Sequence, residues 1–165
     1  MNRLARFAVV ASLALPTAVV AQTTEDSVLA GVRAVDAKVE LTWDSRIKDI
    51  LESQVQVQME QRYTLELRKL GIQVSSLAPN ELVCTVLVKV VPETPGMIAL
   101  SKIATYGEFV TVKRLPGSTR WGTLWRGSYS VSTVGMDNFR EALETSATRC
   151  AEAFGNAWLS VNPRP

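Results

Sequence analysis

Leu82-Val83-Cys84-Thr85-Val86-Leu87-Val88-Lys89-Val90-Val91 is the stretch that decides the fold. In an extended chain successive side chains alternate between faces, so Leu82, Cys84, Val86, Val88 and Val90 share one side. Val83, Thr85, Leu87, Lys89 and Val91 share the other, and that side is also largely apolar. A strand that is apolar on both sides belongs in the middle of a sheet, where both of its faces are screened.

The chain reads outward from this strand in both directions. Downstream, a turn over 92–96 leads into 97–114, one long strand with Gly107 as its irregular point. Leu115-Pro116-Gly117-Ser118 closes a hairpin, and Arg120 to Val131 forms the next strand. Short turns join these three strands, which predicts an antiparallel meander. Upstream, Pro79-Asn80 turns the chain and Ile72 to Ser75 is a short extended piece. Before it, Ile47, Leu51, Val55, Met59, Tyr63, Leu67 and Leu70 recur at the three- and four-residue steps of one helix face. Asp44 or Ser45 can cap that helix at its start, and Gly71 closes it as a left-handed cap. Gln54 to Met59 alternates like a strand, but the longer helical pattern prevails. Val32 to Trp43 alternates apolar and polar residues and reads as a first strand.

At the other end, Gly135 and Asp137 open a last helix with Asp137 as its cap. Phe139, Leu143, Ala147, Cys150, Phe154, Ala157 and Val161 form its apolar stripe, and Pro163 and Pro165 end it. The order β-α-(β)-β-β-β-α predicts an α+β two-layer sandwich, with an antiparallel sheet of about four strands and two long helices on one face.

The chain begins with a different kind of segment. Arg3 and Arg6 precede an apolar run from Phe7 to Leu15, then Pro16, then Val19-Val20-Ala21. This is the pattern of a secretory signal peptide over 1–21, cleaved after Ala21. Retention as an uncleaved N-terminal anchor is the alternative, but a bilayer span takes about 20 apolar residues and this run is shorter and broken by Pro16. No cysteine lies near the cut, so no lipid-attachment site is available there. Residues 22–31 read as a mobile polar leader and 32–165 as a single domain. The expected location is periplasmic.

Removing Arg3 and Arg6 takes the 18 basic residues to 16, against 16 acidic ones, so the mature chain has no net charge. Nucleic-acid binding calls for a basic footprint, which is missing. Two cysteines, Cys84 and Cys150, sit on apolar faces of a strand and a helix. In an oxidising compartment such a pair reads as a disulfide, the other reading being two separate buried thiols.

Chemistry-bearing motifs are few. Without any histidine, the commonest general base and metal ligand is missing, and with it the Ser-His-Asp and Cys-His arrangements. No cofactor or metal is expected. Ser45-Arg46-Ile47-Lys48 matches Ser-x-x-Lys, but the Ser-Asp-Asn and Lys-Thr-Gly elements that accompany it in penicillin-binding enzymes are absent, and a helix cap explains the string. The carboxylates are spread along helix faces among basic residues.

The aromatic residues are more suggestive. Trp121, Trp125 and Tyr129 fall on one side of the strand over 120–131, flanked by Arg120 and Arg126. Packed under the helices, the stripe is core. On the open face of the sheet it is an exposed apolar patch of the kind that marks partner sites. Trp, Tyr and Arg are the residues most enriched at binding hot spots.

A strand before a long helix, the helix end Leu67-Arg68-Lys69-Leu70-Gly71-Ile72-Gln73-Val74, a strand meander and a closing helix with Asn162-Pro163 together resemble small bacterial envelope modules, among them the lipopolysaccharide-assembly lipoprotein. That family carries a lipidated cysteine directly after its signal, and this chain does not. The resemblance implies two helices on a four-stranded sheet and a role as an envelope adaptor or accessory subunit, and it transfers no site residues. The expected function is a non-enzymatic exported structural or adaptor module, docking onto a protein partner in or on the membrane at the periplasmic face. The alternatives are a periplasmic carrier of a small apolar ligand, lipid or glycan, and a hydrolase of unrecognised type.

Overall fold

The computed structural model describes residues 26–50, 54–111 and 119–163. The segment read as a signal peptide and the hairpin turn over 115–118 lie outside the described residues. Six strands make one sheet: β1 (Ala34–Trp43), β2 (Gln73–Val74), β3 (Asn80–Val90), β4 (Met97–Thr111), β5 (Thr119–Arg126) and β6 (Ser130–Gly135). The order across the sheet is β2-β1-β3-β4-β5, and β6 also pairs with β4. Two helices, α1 (Val55–Lys69) and α2 (Phe139–Val161), pack against it. The α+β class matches the expectation.

The sheet is mixed rather than wholly antiparallel, because β1 runs parallel to both β2 and β3. The helix between β1 and β3 is the cause: a crossover of that length returns the chain to start the next strand in the same direction. β3 to β6 form the expected antiparallel part. As its two-sided apolarity demands, β3 lies between β1 and β4.

One face of the sheet carries the core. Val39, Cys84 and Ala104 stand in register across β1, β3 and β4, and all are buried. Val55, Met59, Tyr63 and Leu67 of α1, and Phe139, Leu143, Ala147 and Phe154 of α2, are buried with them. Cys84 and Cys150 are bonded, with their Cα atoms 5.8 Å apart, and this tie pins α2 to the central strand.

Local chemistry explains the ends of α1. Gly71 adopts φ +90°, the left-handed conformation a Cβ would oppose. The Gly71 amide then donates to the Arg68 carbonyl and the Ile72 amide to the Leu67 carbonyl, with Ile72 and Leu67 both buried. This pair of bonds is the Schellman motif. The start differs from the sequence reading. Ser45–Ile50 is a 3-10 turn, not the first turns of the α-helix. The Asp44 carboxylate accepts from the Arg46 amide and guanidinium and tightens the chain locally, while Ile47 is buried. Arg46 holds the Asp44 carboxyl down to about 2.

Three further expectations change. Asp137 does not cap α2; it sits within a 3-10 turn over Met136–Asn138 ahead of Phe139, and no side chain caps the helix. The strand expected over 120–131 is interrupted at 127–129, so that β5 and β6 follow one another along the same edge of β4. Residues 26–31, read as part of the leader, are tied to the domain. Leu29 is buried, the Asn162 side chain accepts from the Gly31 amide at 2.8 Å and donates to the Leu29 carbonyl at 2.9 Å, and the Trp158 indole donates to the Val32 carbonyl at 2.7 Å.

Candidate functional site

The aromatic stripe is divided between the two faces by one extra residue. On β4, Tyr106 and Gly107 are consecutive; their partners on β5 are Trp125 and Thr123. Leu124 is therefore unpaired, a β-bulge that reverses the facing of every residue before it. Trp125 shares the facing of Tyr106 and is core. It is 5% exposed, meets Phe154 edge-on at 5.5 Å between ring centroids, and donates its indole N–H to the Asp26 carboxylate at 2.9 Å. Trp121 takes the opposite facing, in register with Phe109, and its ring lies over Gly107 on the open side. Gly107 is required there, since a Cβ would stand 2.7 Å from the Trp121 ring and against the Gly122 carbonyl oxygen.

The remaining members of the predicted patch also separate. Tyr129 lies in the break between β5 and β6, 62% exposed. Arg126 is exposed and in register with Thr105 on the open side; Arg120 is exposed and in register with Val110, on the facing of Tyr106. What the structure brings together on the open face is Trp121, Thr123 and Arg126 of β5 with Val131 of β6, Ser101 and Ile103 of β4, and Leu87 and Val83 of β3. Val131 is 59% exposed and Leu87 and Ile103 partly so. Lys38, Glu40 and Thr42 of β1 make the polar border of this face, and Lys38 pairs there with Asp36 and Glu81. Among the described residues, the side chains of α1 and α2 that pack on the sheet all meet its other face.

A second feature lies on the helix side. Between α2 and the β6 row runs a cleft of about 470 Å³, continued by one of about 340 Å³, and Lys102 and Arg149 line both. Lys102 has the facing of Ile98, Leu100, Ala104 and Tyr106, all buried apolar residues. Burial and the neighbouring Arg149 push its ammonium below the usual lysine range. The signal for this site was a single lysine on the apolar side of a strand.

Other candidates do not assemble. Among the described residues no three His, Cys, Asp or Glu side chains stand close enough to hold a metal ion. Ser45 is exposed in its 3-10 turn, and the Lys48 side chain is outside the described residues. Near Trp125, Tyr106 and Phe154 pack into the core with their rings 5.7 Å apart, and beside them an open cleft of about 320 Å³ is lined by Asp26, Trp125, Ser128 and Asn156.

No family model and no curated protein matches the chain. Solved structures similar to it include lipoproteins. Rare lipoprotein B from Shewanella oneidensis is 9% identical with a TM-score of 0.35, covering 76% of this chain and 96% of its own. A minor lipoprotein from Acinetobacter baumannii is 11% identical with a TM-score of 0.37, covering 82% and 99%. A PelC dodecamer from Paraburkholderia phytofirmans is 11% identical with a TM-score of 0.39, covering 76% and 87%. These likenesses accord with the fold-level resemblance, and at such scores nothing about function follows from them.

Proposed function

We propose that the chain is a non-enzymatic, exported module of the cell envelope that docks onto a protein complex in or on the membrane at the periplasmic face. The observation that carries this reading is the open face of the sheet, where Ile103, Leu87 and Val131 lie around Ser101, and Trp121 and Arg126 share their facing farther along β5. Exposed apolar surface on one sheet face suits a partner site, and Trp and Arg are enriched at binding hot spots. The export pattern over 1–21 and a bonded Cys84–Cys150 pair both suit an oxidising compartment. Lipidation is not part of the proposal, because no cysteine follows the signal.

The test is cross-linking in intact cells followed by purification of the tagged full-length protein from the envelope fraction. The native chain is expected to carry a membrane protein with it. A Val131→Glu/Trp121→Ala variant is expected to lose that partner while keeping its thermal midpoint within a few degrees. Recovery of the native chain alone and monomeric, or of the variant with the same partner, would refute the proposal.

A further inference from the structure

We infer that the cleft between α2 and the β6 row binds an oxyanion, a carboxylate or a phosphate, between Lys102 and Arg149. The inference is independent of the docking reading, since this cleft lies on the helix side of the sheet and the docking surface on the other.

Two positive groups share one cleft. Lys102 is half-buried on the apolar facing of β4, and among the described residues no carboxylate pairs with it. Its register neighbours, Val86 on β3 and Ser130 on β6, are neutral. From α2 it faces Arg149, a like charge, with the exposed Glu141 farther along the same cleft. A half-desolvated cation facing a second cation costs free energy that an apolar residue at the same position would not. The arrangement becomes favourable once an anion sits between the two, because Lys102 then gains an opposite partner in a partly dry site and Arg149, which already meets Glu152, gains a second.

Arg149 is suited to such a role. Its Nη1 meets Glu152 at 3.1 Å along the helix surface, and a guanidinium presents five donors in a fork that fits a carboxylate or phosphate. The hydroxyls of Ser130, Ser132 and Thr145 line the cleft and add neutral donors of variable direction. A compact oxyanion fits this donor set better than an apolar ligand. The size of the cleft, about 470 Å³, leaves room for the body of the molecule that carries it.

The experiment is an amide NMR titration of the mature protein with inorganic phosphate and, separately, with glucuronate, against chloride at matched ionic strength. Saturable shifts are expected at Ser130, Ser132 and the α2 residues from Ala142 to Arg149. Saturation by phosphate alone or by glucuronate alone distinguishes the two anions, and either supports the site. Lys102→Gln and Arg149→Gln are each expected to weaken binding about tenfold, the loss of one charge-assisted contact. Arg149 is exposed, so its variant keeps the question answerable if Lys102→Gln fails to fold. Lys102→Met is expected to unfold at a higher temperature than the native protein in anion-free buffer, as befits a cation kept for a ligand. Shifts no larger than chloride produces, Gln variants that bind as tightly as the native protein, or a lowered midpoint for Lys102→Met would each overturn the inference.

Discussion

Reducing the Cys84–Cys150 bond should cost the domain much of its stability. The bond joins residues 66 apart in sequence, and both side chains are buried. On the chain-entropy account, closing a loop of that length removes about 4 kcal/mol of freedom from the unfolded chain. Marginal domains have only about 5–15 kcal/mol in total, so the bond is a large share of the margin. With a urea slope of about 2 kcal/mol/M, the unfolding midpoint should fall by about 2 M. The assay is urea unfolding of the mature protein by tryptophan fluorescence, with and without a strong reductant. Trp125 is well placed as the reporter, because it packs on Phe154, one turn beyond Cys150 on α2. A Cys84→Ala/Cys150→Ala variant should unfold at or below the reduced native midpoint, since it also loses two buried sulfurs. A midpoint that moves by less than a few tenths molar on reduction would refute the reasoning. So would two reactive thiols in freshly isolated protein that has met no reductant.

Two other substitutions test the sheet and the core. Gly107→Ala should destabilise by about 3 kcal/mol, since the new methyl meets the Gly122 carbonyl oxygen, a backbone atom with no rotamer to escape into. Thermal unfolding checks it, and an unchanged midpoint would mean that neither the Gly122 carbonyl nor the Trp121 ring closes on Gly107. Tyr63→Phe should raise stability by about 1 kcal/mol, as read in urea unfolding. Tyr63 is fully buried, its hydroxyl has no partner among the described residues, and burial drives its ionisation far above the usual range. A loss of stability instead would show that the hydroxyl is satisfied in solution.

Much of the fold was legible because the core obeys simple periodicities. The alternation in 82–90 and the three- and four-residue steps in 55–67 and 139–154 recur as the buried faces of β3, α1 and α2. Gly71 and Gly107 marked a helix end and a sheet irregularity, because backbone geometry there admits no side chain. The Cys84–Cys150 bond was read from the compartment that the export pattern implies, and the apolar faces of the strand and the helix only allowed it. The parallel pairing of β1 was less accessible, since strand direction is set by how a connection crosses the sheet rather than by alternation within the strand. The N-terminal boundary was missed for a similar reason: Val28-Leu29-Ala30 is too short a run to show a period, and Leu29 is held by Asn162, 133 residues away.

The candidate surface was harder to read, and the bulge at Leu124 explains why. Alternation assigns Trp121 and Trp125 to one side only if every residue between them is paired. One unpaired residue sends Trp125 into the core and leaves Trp121 on the open face. No residue type in Trp121-Gly122-Thr123-Leu124-Trp125-Arg126 announces the insertion; its counterpart is on the neighbouring strand, where the register shifts at Tyr106 and Gly107 and the Trp121 ring comes close to Gly107. The consequence is functional as well as geometric. A regular strand would have placed both indoles on the same side, either as a broad exposed patch or as core with nothing left outside. The bulge gives one aromatic to each layer: Trp125 anchors α2 and Asp26, and Trp121 remains as the large side chain around which the open face could fit a partner.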